Sequence, residues 1–95
     1  MSAYIFAEID VFDKEQYKAY QEKTPETIKK YGGRFIVRGG NPEILEGQLD
    51  SKRMVVIEFQ DKKAAQKWYY SEEYQSILTI RQSASKGRMF LLEGV

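Results

Sequence analysis

Cysteine and histidine are both missing from this 95-residue chain, and the two absences remove much of the usual catalytic repertoire. Without cysteine there is no disulfide framework, no thiol nucleophile and no thiolate metal site. Without histidine the commonest general base and the commonest metal ligand are gone. A charge surplus is lacking too: 15 Lys and Arg stand against 14 Asp and Glu, a net charge of +1. That balance argues against a nucleic-acid partner, whose affinity rests on a basic surface. No apolar run approaches the roughly 20 residues of a membrane-spanning helix, so no membrane partner is expected. Met1-Ser2-Ala3 leads straight into a strand pattern without the regions of a signal peptide, and the cytoplasm is the expected compartment. Metal-site and phosphate-loop spacings are likewise absent: the glycine pairs at 32–33 and 39–40 fit neither GxGxxG nor the P-loop. Neither a metal nor a cofactor is expected.

What the chain does have is a succession of closely spaced elements in one domain, residues 1–95. Ala3 to Val11 alternates as a half-buried strand. Asp13 reads as a helix N-cap with Gln16 completing a capping box, and Tyr17, Tyr20, Thr24, Ile28 and Tyr31 form one helical stripe. Thr24-Pro25 predicts a kink or a restart, because proline costs a helix interior about 3 kcal/mol. Gly32-Gly33 ends this helix and opens a strand from Arg34 to Arg38, which Gly39-Gly40-Asn41-Pro42 then turns away. Glu43 to Leu49 is expected as a short edge strand. Arg53 to Phe59 is the most strand-like run. Asp61 caps a helix carrying Ala64, Ala65, Trp68 and Tyr69, and Ser71 caps another, Glu72 to Ser83. Gly87 releases the chain into a last strand, Arg88 to Glu93. Strand, helix, strand, strand, helix, strand is the α+β, ferredoxin-like order: a four-stranded antiparallel sheet with helices on one face.

The other sheet face is then bare, and its composition matters. Strict alternation sends Ile5, Ala7, Ile9, Val11, Phe35, Val37, Val55, Ile57 and Phe59 toward the helices. It sends Tyr4, Phe6, Glu8, Asp10, Arg34, Ile36, Arg38, Met54, Val56 and Glu58 away from them. In the last strand, Phe90 and Leu92 are expected on the helix side, and Met89, Leu91 and Glu93 opposite. Apolar side chains mixed with arginines and carboxylates suit a wet cavity between two copies of the sheet, hence a homodimer. On this arrangement Glu8 and Glu58 are neighbours able to share a proton, and are the candidate bases. Arg34 and Arg38 are the candidate holders of a small anionic ligand, with Tyr31 or Tyr20 as a hydrogen-bond donor. Arg81, on the Tyr74 and Leu78 stripe, is a semi-buried cation that needs an acceptor, which a backbone carbonyl, a carboxylate or a ligand can supply. Ordinary packing is the competing reading: cross-strand Glu–Arg pairs, tyrosines packed helix to sheet, and Trp68 in the core.

The run Tyr31-Gly32-Gly33-Arg34-Phe35-Ile36-Val37-Arg38-Gly39-Gly40 resembles the family known as domain of unknown function 1330, of the dimeric alpha–beta barrel superfamily. Glu46-Gly47, Val56-Ile57-Glu58-Phe59, Ala64-Ala65 with Trp68-Tyr69, Ser71-Glu72-Glu73-Tyr74-Gln75, Arg81 and Gly87-Arg88 extend the likeness over the whole domain. Glu72 stands where the family often has proline; both residues suit a first helical position. The resemblance implies a ferredoxin-like protomer forming a dimeric alpha–beta barrel, and no established activity. Superfamily relatives include cofactor-free monooxygenases, haem-degrading enzymes, small isomerases and dehalogenases, several with a pocket between helices and sheet. Two readings follow. One is a small-molecule-binding protein acting on a compact organic acid or ketone by proton transfer or cofactor-free oxidation. The other is a non-catalytic dimeric binding or structural module.

Overall fold

The alternating segment Ala3–Val11 becomes the strand around which the sheet is built. In the computed structural model, which describes residues 1–49 and 53–95, the order is β1 (Ala3–Val11), α1 (Lys14–Lys30), β2 (Arg34–Gly39), β3 (Arg53–Phe59), α2 (Lys62–Tyr69), α3 (Glu72–Ala84) and β4 (Ser85–Glu93). All four strands are antiparallel in the order β2-β3-β1-β4, the α+β ferredoxin-like arrangement. The Cα envelope measures 32 × 30 × 15 Å, a two-layer slab with one sheet face uncovered.

Caps and packing explain the helices. The side chains of Asp13, Asp61 and Ser71 accept hydrogen bonds from the backbone N–H groups of Gln16, Ala64 and Tyr74, satisfying N-terminal donors that have no partner within the helix. Gly32, at φ +79°, closes the first helix. The restart expected as one outcome at Thr24-Pro25 does not occur, and α1 runs through Pro25 as one helix. Proline there removes the bond to the Gln21 carbonyl. The buried flanking positions Thr24 and Ile28 hold the helix against the sheet, and the Thr24 hydroxyl donates to the Tyr20 carbonyl at 2.6 Å.

The inward set of β1 and β3 is as alternation predicts: Ile5, Ala7, Ile9, Val55, Ile57 and Phe59 are buried together with Trp68, Tyr74, Ile77 and Leu78. Three expectations fail elsewhere. Glu43 to Leu49 forms no strand; left-handed Gly39 and Gly40, with Pro42 lacking a donor, take the chain off the ladder. β4 begins at Ser85, two residues before Gly87. Its faces are the reverse of those expected: Met89 and Leu91 pair with Ala7 and Ile5 and pack on the core, while Phe90 and Leu92 pair with Phe6 and Tyr4 on the open face. Four consecutive apolar residues, 89–92, leave the parity of this strand undefined by composition.

Gly87 is fixed by sterics rather than by turn chemistry. A Cβ there would meet the backbone oxygen of Glu8 at 2.1 Å, and a backbone atom cannot swing aside. Gly87→Ala is therefore expected to cost about 1–3 kcal/mol, as overpacking does. The denaturant midpoint checks it, and an unchanged midpoint refutes the close approach.

Candidate functional site

One irregularity in β2 decides where the charges go. Phe35 pairs with Ile57, but Val37 pairs with Val56 and Arg38 with Val55, so Ile36 is an extra residue bulged out of the ladder. A bulge of this kind reverses the face of every later side chain in the strand. Val37, expected inside, joins Phe6 and Val56 on the open face. Arg38, expected outside beside Arg34, lies over the helix side of the sheet, with its guanidinium carbon 4.6 Å from the Phe35 ring centroid.

There Arg38 meets an arginine that the expected charged set omits. Arg53 pairs with the inward-facing Ile9 and sits 5.9 Å from the Tyr17 ring centroid. Its Nε is buried without a hydrogen-bond partner. Gly39, at φ +88°, makes room for it: a Cβ at Gly39 would lie 3.0 Å from an Arg53 nitrogen. The two arginines line one cleft between α1 and the sheet. Its inner chamber, about 30 Å³, is lined by both and reaches Tyr20, Thr24 and Phe35. The adjoining mouth, about 570 Å³, shares Tyr17, Gln21 and Arg53 with the chamber but not Arg38, and is bounded by Asp10, Lys14, Gly39 and Gly40. The chamber is water-sized, so a ligand would occupy the mouth and present one end to the interior.

Behind the chamber, Tyr20 and Tyr74 share a hydroxyl–hydroxyl hydrogen bond of 2.7 Å. Burial, reinforced by each other's proximity, pushes the Tyr20 phenol well above its ordinary pKa. Burial also raises Tyr74, against the opposing pull of Arg81. Both phenols stay protonated near neutrality; one proton is spent in the bond between them, and the other leaves the pair one hydroxyl donor. Arg81 is buried behind them with its Nε unpartnered. Burial pulls its pKa down, and the neighbouring Tyr74 and Tyr20 outweigh that to hold it up. Arg81 lines neither part of the cleft.

The remaining expected site residues lie elsewhere. Glu8 and Glu58 are not neighbours: Glu58 pairs with Tyr4, four positions away from Glu8 in the β1–β3 register. Each is held by its own cross-strand arginine on the open face. Arg34 Nε donates to Glu58 at 2.8 Å and Arg88 Nε to Glu8 at 2.8 Å. The hydrogen bond from Arg34 holds the Glu58 carboxyl below its usual range, which opposes a role as a base near neutrality. Tyr31 donates to Glu73 at 3.1 Å, and Lys30 pairs with the same carboxylate, tying the end of α1 to α3. A second depression of about 300 Å³, between α2 and β4, is lined by apolar residues with Gln66 and two tyrosines and carries no charge. Among the described residues no group of three or more acidic side chains is placed to hold a metal ion, and no helix is long and apolar enough to cross a membrane.

A four-stranded antiparallel sheet with its helices packed on one face defines the ferredoxin-like α+β class. Residues 2–95 match the family described as Domain of unknown function (DUF1330), and the chain belongs to it. Comparison with curated proteins finds no match. Among solved structures, the fold is similar to the RPA0582 protein of unknown function from Rhodopseudomonas palustris, with a TM-score of 0.80 at 17% identity over 99% of this chain and 82% of that one. It is also similar to SnoaB, a cofactor-independent oxygenase from Streptomyces nogalater, with a TM-score of 0.67 at 12% identity over 99% and 93%. HapK from Hahella chejuensis gives 0.61 at 13% identity over 100% and 93%. At these identities the likeness concerns the fold.

Proposed function

We propose that this protein binds a compact organic acid in the cleft between α1 and the sheet, with Arg38 as the principal anchor. The observation that carries the reading is the bulge at Ile36, which turns Arg38 into the cleft beside Arg53 with no carboxylate paired to either among the described residues. A guanidinium left without a partner in a half-enclosed site favours an anionic ligand, and its planar fork suits a carboxylate. In the catalytic form of this reading, the Tyr20 hydroxyl donates a hydrogen bond to negative charge developing on the bound acid or ketone, in proton transfer or cofactor-free oxidation. The fold shared with a cofactor-independent oxygenase supports that form. Glu8 and Glu58, on the far face of the sheet, take no part in it.

The outer face favours self-association alongside the pocket. Phe6, Val37, Val56, Phe90 and Leu92 form an apolar centre flanked by the Arg34–Glu58 and Glu8–Arg88 pairs. An apolar core with a charged rim is the anatomy of a protein interface, and we propose that a second copy covers it, the ion pairs setting its register.

The test is a thermal-shift screen of small carboxylic acids and ketones, since a ligand of the folded state raises its melting temperature, followed by oxygen-uptake assays on whatever binds. Arg38→Lys keeps the charge and loses the fork. It is expected to leave stability within about 0.5 kcal/mol, as exposed substitutions do, and to weaken acid binding about tenfold. Unchanged affinity with a lowered melting temperature would make Arg38 structural and sink the reading.

A further inference from the structure

The chain as a whole is almost neutral, at +1, yet the balance of charge differs from one surface to another. On the open sheet face Arg34 and Arg88 are matched by Glu58 and Glu8. The cleft instead gathers Lys14, Arg38 and Arg53 against one carboxylate, Asp10, three cations to one anion. Two of those cations are adjacent in the ladder. Arg38 pairs with Val55, and Arg53 lies two residues from Val55 on the same strand face, so the arginines are diagonal neighbours about 7–8 Å apart at the backbone. Like charges at that spacing repel, and the repulsion persists unless something negative sits between or across them.

The two guanidinium groups are also held apart by separate aromatic supports, Phe35 under Arg38 and Tyr17 under Arg53. Gly39 leaves the Arg53 head room to occupy its position, and the orphaned Arg53 Nε is a buried donor of the kind that native structures pair with an acceptor. We propose that the ligand of this cleft is a small organic acid with two separated carboxylates, one taken by Arg38 and the other by Arg53. This rests on the cleft being the ligand site, and it goes further by assigning the substrate class and naming Arg53 as the second anchor. A single anionic group satisfies one fork and leaves the other arginine unneutralised. Two carboxylates on a short flexible or aromatic spacer satisfy both, one in the mouth against Arg53 and the other reaching Arg38 at the adjoining chamber.

Isothermal titration calorimetry with glutarate, butyrate and glycerol phosphate, on wild type, Arg38→Gln, Arg53→Gln and a Lys62→Gln surface control, tests the assignment. Glutarate is expected to bind at least about tenfold tighter than butyrate, the worth of one further charge-assisted hydrogen bond. Arg38→Gln and Arg53→Gln should each erase that margin, while Lys62→Gln preserves it. Butyrate binding as tightly as glutarate, with Arg53→Gln weakening both, overturns the diacid and leaves the acid-binding cleft standing. Tighter binding of glycerol phosphate also overturns it, in favour of one doubly charged group. Neither acid binding to wild type, with no shift of the Tyr17 resonances, removes the cleft reading together with it. Should Arg53→Gln fail to fold, exposed Arg38 alone decides: a glutarate margin that survives Arg38→Gln refutes the proposal.

Discussion

Ile57→Asp is expected to give no folded protomer, whereas Phe90→Asp is expected to give a folded protomer that has lost the proposed self-association. Ile57 is paired with Ile5 and Phe35 and is 3% exposed beneath the helices. A carboxylate there has no counter-ion, and burying one costs several kcal/mol, against a total stability of about 5–15 kcal/mol for a domain. Phe90 is opposite Phe6 on the bare face and 47% exposed, so an aspartate there stays solvated in the protomer and is desolvated only by a partner. Circular dichroism and sedimentation equilibrium separate the two outcomes. A monomeric wild type would remove the covered face, and a folded Ile57→Asp would invert the sheet.

Trp68→Ala should be the most damaging neutral substitution. The indole is fully buried and stacks on Tyr74 at 4.1 Å and on Phe59 at 5.5 Å between ring centroids. Its Nε1 donates to the Thr27 hydroxyl at 3.0 Å, joining α2 to α1. Truncating such a side chain costs about 3–5 kcal/mol, which in a domain of this size lowers the melting temperature by more than about 12 °C. Trp68→Phe keeps most of the ring area and loses the hydrogen bond, so its fall should be much smaller. Equal losses for the two variants would show that the hydrogen bond, not the packing, dominates. Differential scanning calorimetry measures both.

The architecture was legible wherever one physical signal dominated. β1 alternates cleanly from Ala3 to Ile9, β3 does so apart from Val56, which is buried as well, and the three N-caps are the short polar residues that capping requires. The site was less legible, because it depends on pairing rather than pattern. Nothing in Arg34-Phe35-Ile36-Val37-Arg38 announces that Ile36 is unpaired, since the bulge arises from how β2 meets β3. The Arg38 reversal follows from that alone. Glu8 and Glu58 were misplaced for a related reason: alternation assigns a face and says nothing of position along it, so two residues on one face can stand at opposite ends. Arg53 did carry a signal. It shares the odd parity of Val55, Ile57 and Phe59, and a cation in step with a buried apolar set invites the question of what it faces.

The bulge at Ile36 behaves like a frameshift written in protein. Removing one residue ahead of Val37 would leave the composition of the strand nearly unchanged while exchanging its inside and outside from that point on. Arg38 would be delivered to the open sheet face and Val37 to the cleft, so one deletion would both take a cation from the cleft and place an unmatched one on the open face. Single-residue insertions and deletions in this strand are therefore changes of wiring, and two chains of this fold can differ in ligand chemistry without differing in a single cleft-forming residue type.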